Sequence, residues 1–159
     1  MLYKYILYFL MISTFLSYIS FIIVKYGVQK SISDSYYRLP YKLKPLFTFF
    51  CWGVSLPAMI LGSTPLMFLA GSGIAFVGAA SAFDDDKMTF TVHMASAFIG
   101  VILSQISISI DFGMWYLTVL FVVLSTIILL LRRKIKYFWW IEIIAFILIF
   151  IVLGLNLNK

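Results

Sequence analysis

Long apolar stretches alternate with short polar breaks along this chain. The first apolar run, 5–24, carries no charge and stops at Lys25. A polar stretch, 25–45, separates it from a second run, 46–61, which contains Pro57. Gly62, Ser63, Thr64 and Pro65 are turn residues, and a third run, 66–83, begins at once. These two runs read as a tight helical hairpin. The acidic break Asp84, Asp85, Asp86 and Lys87 precedes a fourth run, 90–110. Asp111 and Gly113 stop it, and a fifth run, 114–131, follows. Basic residues at 132–136 interrupt before the sixth run, 137–155. A helix needs about 20 apolar residues to cross a bilayer. The pattern therefore predicts an all-α, polytopic membrane protein: one transmembrane domain over 1–159, folded as a bundle of six transmembrane helices.

Composition sharpens this picture. Of the 159 residues, 64% are hydrophobic and 11% are charged. A soluble domain carries roughly a quarter charged residues, so water cannot be the main solvent here. A cleaved signal peptide has an apolar core of about 7–15 residues and a small-residue cleavage site. The first run is longer and leads into a Lys- and Tyr-rich loop, so it reads as a retained helix. Phe, Ile, Tyr and Lys are abundant, as in AT-rich bacterial or phage genomes. An inner membrane is the expected location.

The net charge of +6 follows membrane insertion rules rather than nucleic-acid binding. Ten of the 12 Lys and Arg fall in the odd-numbered connectors, against Lys4 and Lys159 on the other side. Basic loops stay in the cytoplasm, so both termini are expected on the non-cytoplasmic side. Cys51 is the single cysteine and cannot form an intrachain disulfide. With a single His and a single Cys no zinc site is expected, and no cofactor is implied.

The ionisable residues collect at the predicted cytoplasmic level. His93 stands about one turn into the fourth run, and Glu142 about one turn into the sixth. A carboxylate within a span is costly and commonly marks a partner or a pathway. Glu142 therefore pairs with His93 or a basic loop residue, or else snorkels to water. His93 is either a proton-handling group or an imidazole satisfied by one carbonyl or serine. Asp34, flanked by Ser33 and Ser35, accepts from hydroxyls or caps a short helix. Catalytic candidates, if any, are His93, Glu142 and Asp34. Lys30, Arg38, Lys42 and Lys44, interleaved with tyrosines, suit anionic headgroups together with Arg132 and Arg133.

Small residues mark the expected packing faces. Gly71, Ala75 and Gly78 recur at helical spacing in the third run. Ser96, Gly100 and Ser104 do so in the fourth, on the His93 face. Small residues allow close helix approach in lipid, so these faces are expected to pack together.

Two stretches, ISDSYYRL (32–39) and FVGAASAF (76–83) leading to VHMASAFIG (92–100), carry a resemblance. They resemble the six-span DRAM/Sfk/FGF-receptor-activating group, most of all its bacterial relatives, over about 20–110. The resemblance implies a six-helix bundle with Ser33, Asp34 and His93 at recurring polar positions. It also implies lipid remodelling, membrane sensing or scaffolding. One departure is orientation: eukaryotic members usually have cytoplasmic termini.

Three functions are weighed. The favoured one is a non-enzymatic membrane protein that binds anionic lipids, with a second copy or a membrane protein as a further partner. The second is a small proton-coupled transporter, with Pro57 and Gly73 as helix breaks and Ser104, Gln105 and Ser107 offering polarity. The third is a lipid-modifying enzyme with His93 as base.

Overall fold

The computed structural model describes residues 1–83, 86–131 and 136–158. All its regular structure among these residues is helical: α1 (Leu2–Tyr26), α2 (Ser35–Arg38), a 3-10 turn (Tyr41–Leu43), α3 (Pro45–Gly62), α4 (Pro65–Ala79), α5 (Lys87–Ile110), α6 (Trp115–Leu130) and α7 (Tyr137–Leu155). Four segments are long and apolar enough to cross a membrane: Leu2–Tyr26, Tyr41–Gly62, Lys87–Ile110 and Tyr137–Leu155. The chain is thus an all-helical membrane protein. Helices α4 and α6, at 15 and 16 residues, span only about 22–24 Å at 1.5 Å per residue. That is less than the roughly 30 Å of a hydrocarbon core.

Local chemistry sets the boundaries. Gly27 ends α1 in the left-handed region (φ 73°) and returns its N–H to the Ile23 carbonyl. Ser63 adopts φ 51° and turns the chain out of α3. Thr64 then caps α4, its hydroxyl accepting the Met67 N–H at 3.2 Å, with Pro65 in the first turn. The third apolar run was expected to stay helical to residue 83, but α4 stops at Ala79. The fourth was expected from residue 90, yet α5 starts at Lys87. Asp86 is the reason: its carboxylate accepts the Thr89 N–H at 2.9 Å and the Thr89 hydroxyl. These two bonds pull the acid's affinity for its proton below the usual carboxylate range. His93 consequently lies nearly two turns into the helix rather than one.

The helices run back and forth between two ends. At one end the termini meet, where the Tyr5 hydroxyl bonds Asn158 and the Tyr8 hydroxyl donates to the Phe150 carbonyl at 3.0 Å. The other end carries the segment 27–44, which we call the basic end. An aromatic core joins α1, α3 and α7: the Phe15 ring lies edge-on to Phe150 at 5.0 Å, and Tyr18 stacks on Phe50 at 4.4 Å.

Helix α4 sits between α3 and α5, and here the structure departs from the expected packing. Gly71 and Gly78 face α3, where added Cβ atoms would meet Met59 and Cys51. Trp52 Nε1 donates to the Ala75 carbonyl and Thr48 to the Gly78 carbonyl, along the same seam. The approach to α5 uses Gly73: a Cβ there would lie 2.7 Å from the Ser96 carbonyl and 2.8 Å from the Gly100 nitrogen. Gly100 in turn faces the Ala70 carbonyl and Ile74. The expected pairing of the two small-residue faces is therefore split: Gly100 of α5 does meet α4, whereas Gly71 and Gly78 turn to α3. Pro57 and Gly73, expected as helix breaks in a carrier, lie inside the continuous α3 and α4.

Candidate functional site: the folded cap at the basic end

The polar stretch after α1 is not a loop trailing in water. It folds back over the bundle as a cap. The Gly27 turn starts the reversal, and Gln29 staples it. Its Nε2 donates to the carbonyls of Tyr26 and Gly27, both at 2.8 Å, while Oε1 accepts from Arg38 Nε at 3.1 Å. Ile32 and Leu39 are each 3% exposed and anchor the cap in the core.

Polar contacts beneath the cap are equally specific. The Lys30 carbonyl accepts the Trp139 N–H at 3.1 Å. The first N–H groups of a helix have no partner within it, so the cap satisfies one of those of α7. Glu142, one turn further along α7, accepts the Ile32 N–H at 2.5 Å. Ser35, fully buried, donates to the Ile32 carbonyl at 2.5 Å and lies 2.6 Å from the Tyr18 hydroxyl. Both polar groups of the Ile32 peptide are therefore met by side chains. An unmet buried N–H costs about 1–3 kcal/mol, so Glu142 holds the cap's main chain at its deepest point.

Asp34 takes the N-cap position of α2, but its side chain makes no capping bond. Its own N–H donates to the Ser31 hydroxyl at 3.1 Å. Ser33 is buried beside it.

His93 also meets a backbone group. Nδ1 lies 2.9 Å from the Ala80 carbonyl; a carbonyl only accepts, so Nδ1 carries the proton. Ala80 is the C-cap residue of α4, where helical carbonyls run out of partners. The imidazole stacks on Phe83 at 4.2 Å, and Phe83 meets the Tyr37 ring edge-on at 5.1 Å. Rings thereby link the cap to the α4–α5 connection. Glu142 was expected to pair with His93 or a basic side chain, or to snorkel to water, and His93 to handle a proton or be satisfied by one carbonyl or serine. The structure gives the carboxylate a main-chain N–H, and gives His93 a main-chain carbonyl.

Of the candidate headgroup residues, Lys30, Arg38 and Lys42 are exposed. Lys44 is partly buried, its ammonium 4.6 Å above the centre of the Tyr36 ring. Arg132 and Arg133 lie outside the described residues, as do Asp84, Asp85, Lys134 and Lys159.

Two polar participants of the cap, Gln29 and Tyr18, were not singled out by sequence reasoning. They build it together with Ser35, expected only as a neighbour of Asp34. Gln105, expected only as polarity for a carrier, is 6% exposed. Its amide has no hydrogen-bond partner among the described residues. The Thr118 hydroxyl of α6 donates to the main-chain carbonyl of Gln105, 3.0 Å away. An amide within an apolar run was the available signal. For Tyr18 and Ser35 the partners lie on different elements, which spacing does not reveal.

Comparison with protein-family models, with curated proteins and with solved structures found no match to this chain.

Proposed function

We propose that this is a six-crossing, non-enzymatic membrane protein that gathers anionic lipid at its basic end. The basic end faces the cytoplasm and both termini face away, in a bacterial or phage-encoded inner membrane. The cap carries this reading. Its main chain is held by Glu142 and Trp139, while Lys30, Arg38 and Lys42 stay exposed. A fixed array of cations beside aromatic rings suits a negatively charged headgroup layer, where each contributes about 1 kcal/mol. The basic connectors and the positive-inside rule support the orientation. Helix α4 follows α5 from the Thr64–Ser107 contact (3.4 Å) to the Ala80–His93 bond, about 22 Å at 1.5 Å per residue, and a bilayer that thins beside a short helix accommodates its crossing. Membership of the DRAM/Sfk/FGF-receptor-activating group is proposed on the same footing, supported by Asp34 and His93 at one end of a helical bundle.

The carrier reading drew on broken helices, and α3 and α4 are continuous. For the enzyme reading, His93 Nδ1 is engaged by a helix-end carbonyl, which is a structural use of the ring.

The test has two arms. Single cysteines at Lys30 and Asn158, in a Cys51→Ser background, are labelled in intact cells and in inside-out vesicles with an impermeant reagent. Position 30 should react only in the vesicles and position 158 only in the cells. Purified protein should also retain phosphatidylglycerol in preference to phosphatidylcholine. Labelling of position 30 from outside, or no preference between the lipids, overturns the reading.

A further inference from the structure

Two grooves meet on the outer face of α3 and α4. The upper one, about 580 Å³, lies at the basic end and is lined by Lys42, Lys44, Tyr36, Tyr41 and Ser81 among others. No carboxylate stands among the described residues that line it. The lower one, about 330 Å³, is bounded by Trp52, Leu56, Ala75, Phe76 and Ala79. Trp52 borders both grooves, so the two adjoin at its ring and together make a channel that is cationic above and apolar below.

The floor of this channel is tied across the two helices. The Thr48 hydroxyl and the Trp52 indole bond the Gly78 and Ala75 carbonyls and lock α3 to α4 beneath it. Its reach also has a meaning. From Lys44 to Leu56 the helix rises about 18 Å at 1.5 Å per residue. One leaflet contributes about half of a roughly 30 Å hydrocarbon core. Cations at headgroup level with one leaflet's depth of apolar groove below them match a single phospholipid in both charge and length.

We infer that this channel is a discrete site for one anionic phospholipid, its phosphate held between Lys42 and Lys44 and one acyl chain lying along Trp52, Phe76 and Ala79. The inference rests on the lipid-gathering reading above and narrows it to one place. Lys44 stands over Tyr36 at 4.6 Å and Tyr37 at 5.8 Å, so its ammonium is positioned before any lipid arrives. The small side chains of Ala75 and Ala79 leave the room that the chain fills.

Native mass spectrometry of the full chain, released from micelles carrying phosphatidylglycerol or phosphatidylcholine of equal chain length, tests this. The wild type should hold one phosphatidylglycerol tightly. The double variant Lys42→Gln/Lys44→Gln should weaken retention roughly 25-fold, about fivefold for each cation. Ala79→Trp alters an exposed position, fills the groove, and should release the lipid without changing the charge. Thermal unfolding confirms that each variant is folded. Glycerol phosphate alone should not compete. If the wild type prefers phosphatidylglycerol but both variants keep it, this site is overturned while the broader reading stands. If only Ala79→Trp keeps it, or glycerol phosphate competes fully, the acyl groove is overturned. If the wild type shows no preference, both the site and the broader reading fall.

Discussion

Helices α4 and α6 are near twins in length, at 15 and 16 residues, and both are apolar, yet they sit in the molecule very differently. Met67, Ala70, Gly71, Gly73, Val77 and Gly78 of α4 are buried, whereas α6 has no buried residue. The cause lies in side-chain size. Helix α4 reads PLMFLAGSGIAFVGA, rich in Gly and Ala, and α6 reads WYLTVLFVVLSTIILL, with neither. In lipid, apolarity alone drives no helix to another, because the tails are as apolar as Leu. What earns a place in the middle is the ability to bring backbones together. Helix α4 does this on two sides, through Gly71 and Gly78 toward α3 and through Gly73 toward α5. Helix α6 stays at the rim, touching α5 and α7.

Breaking the α4 side should produce the largest effect. Gly73→Val places carbon against backbone atoms of Ser96 and Gly100 that cannot swing aside. Overpacking of this kind costs about 1–3 kcal/mol and sometimes more. Thermal unfolding in mild detergent should show a clear drop in midpoint, and an unchanged midpoint would refute the close crossing.

Next comes the tie at the end of α4. His93→Ala leaves the Ala80 carbonyl without its imidazole donor, at a cost of about 1–3 kcal/mol for a buried group. Faster amide exchange should appear in the last turn of α4, with the far end near Thr64 unaffected.

The α6 side should respond weakly. Thr118→Val removes the hydroxyl bond to the Gln105 carbonyl; bonds of this kind within membranes average about 0.6 kcal/mol. Val123→Ala, on an exposed face, should fall within about 0.5 kcal/mol of wild type. A large loss at position 123 would mean that α6 is buried against another molecule, and the contrast with α4 would then need redrawing.

The smallest effect is a pH dependence at the start of α5. The Asp86 carboxyl loses its proton more readily when folded, because Thr89 bonds the charged form. Its contribution is therefore complete above the unfolded value, about 3.9, and disappears as the pH falls through the lower folded value. The Thr89 amide resonance should titrate in that acid window, and Asp86→Ala should abolish the titration with little change in global unfolding.

Much of the helical layout was readable before any coordinates. The sixth apolar run, 137–155, coincides with α7, and the others agree to within a few residues. The misjudged edges, 79 against 83 and 87 against 90, surround the Asp-rich break. There a cap outweighed apolarity: Asp86 drew polar residues into α5, while Ala80 turned its carbonyl to His93. The packing faces were half readable. Spacing picks out Gly71, Ala75 and Gly78 as one face, but a face does not name its neighbour. Which helix covers it depends on how α4 is rotated, and α3 and α5 set that rotation jointly. The cap was the least readable part. Ser33, Asp34 and Ser35 stood out as a polar cluster, but nothing in the spacing marked Ser35 as its deepest member or the peptide of Ile32 as the group that Glu142 meets.

Sequence alone determined that this chain is helical and lives in a membrane. An oily solvent offers backbone groups no hydrogen bonds, so each long apolar run must satisfy its own by coiling. Tertiary structure alone decided which main-chain groups Glu142 and His93 meet. Glu142 meets a main-chain amide 110 positions away, and His93 a helix end 13 positions away. Such partners are chosen by packing in three dimensions, where a main-chain group of any residue type serves equally well and leaves no trace in the order of side chains.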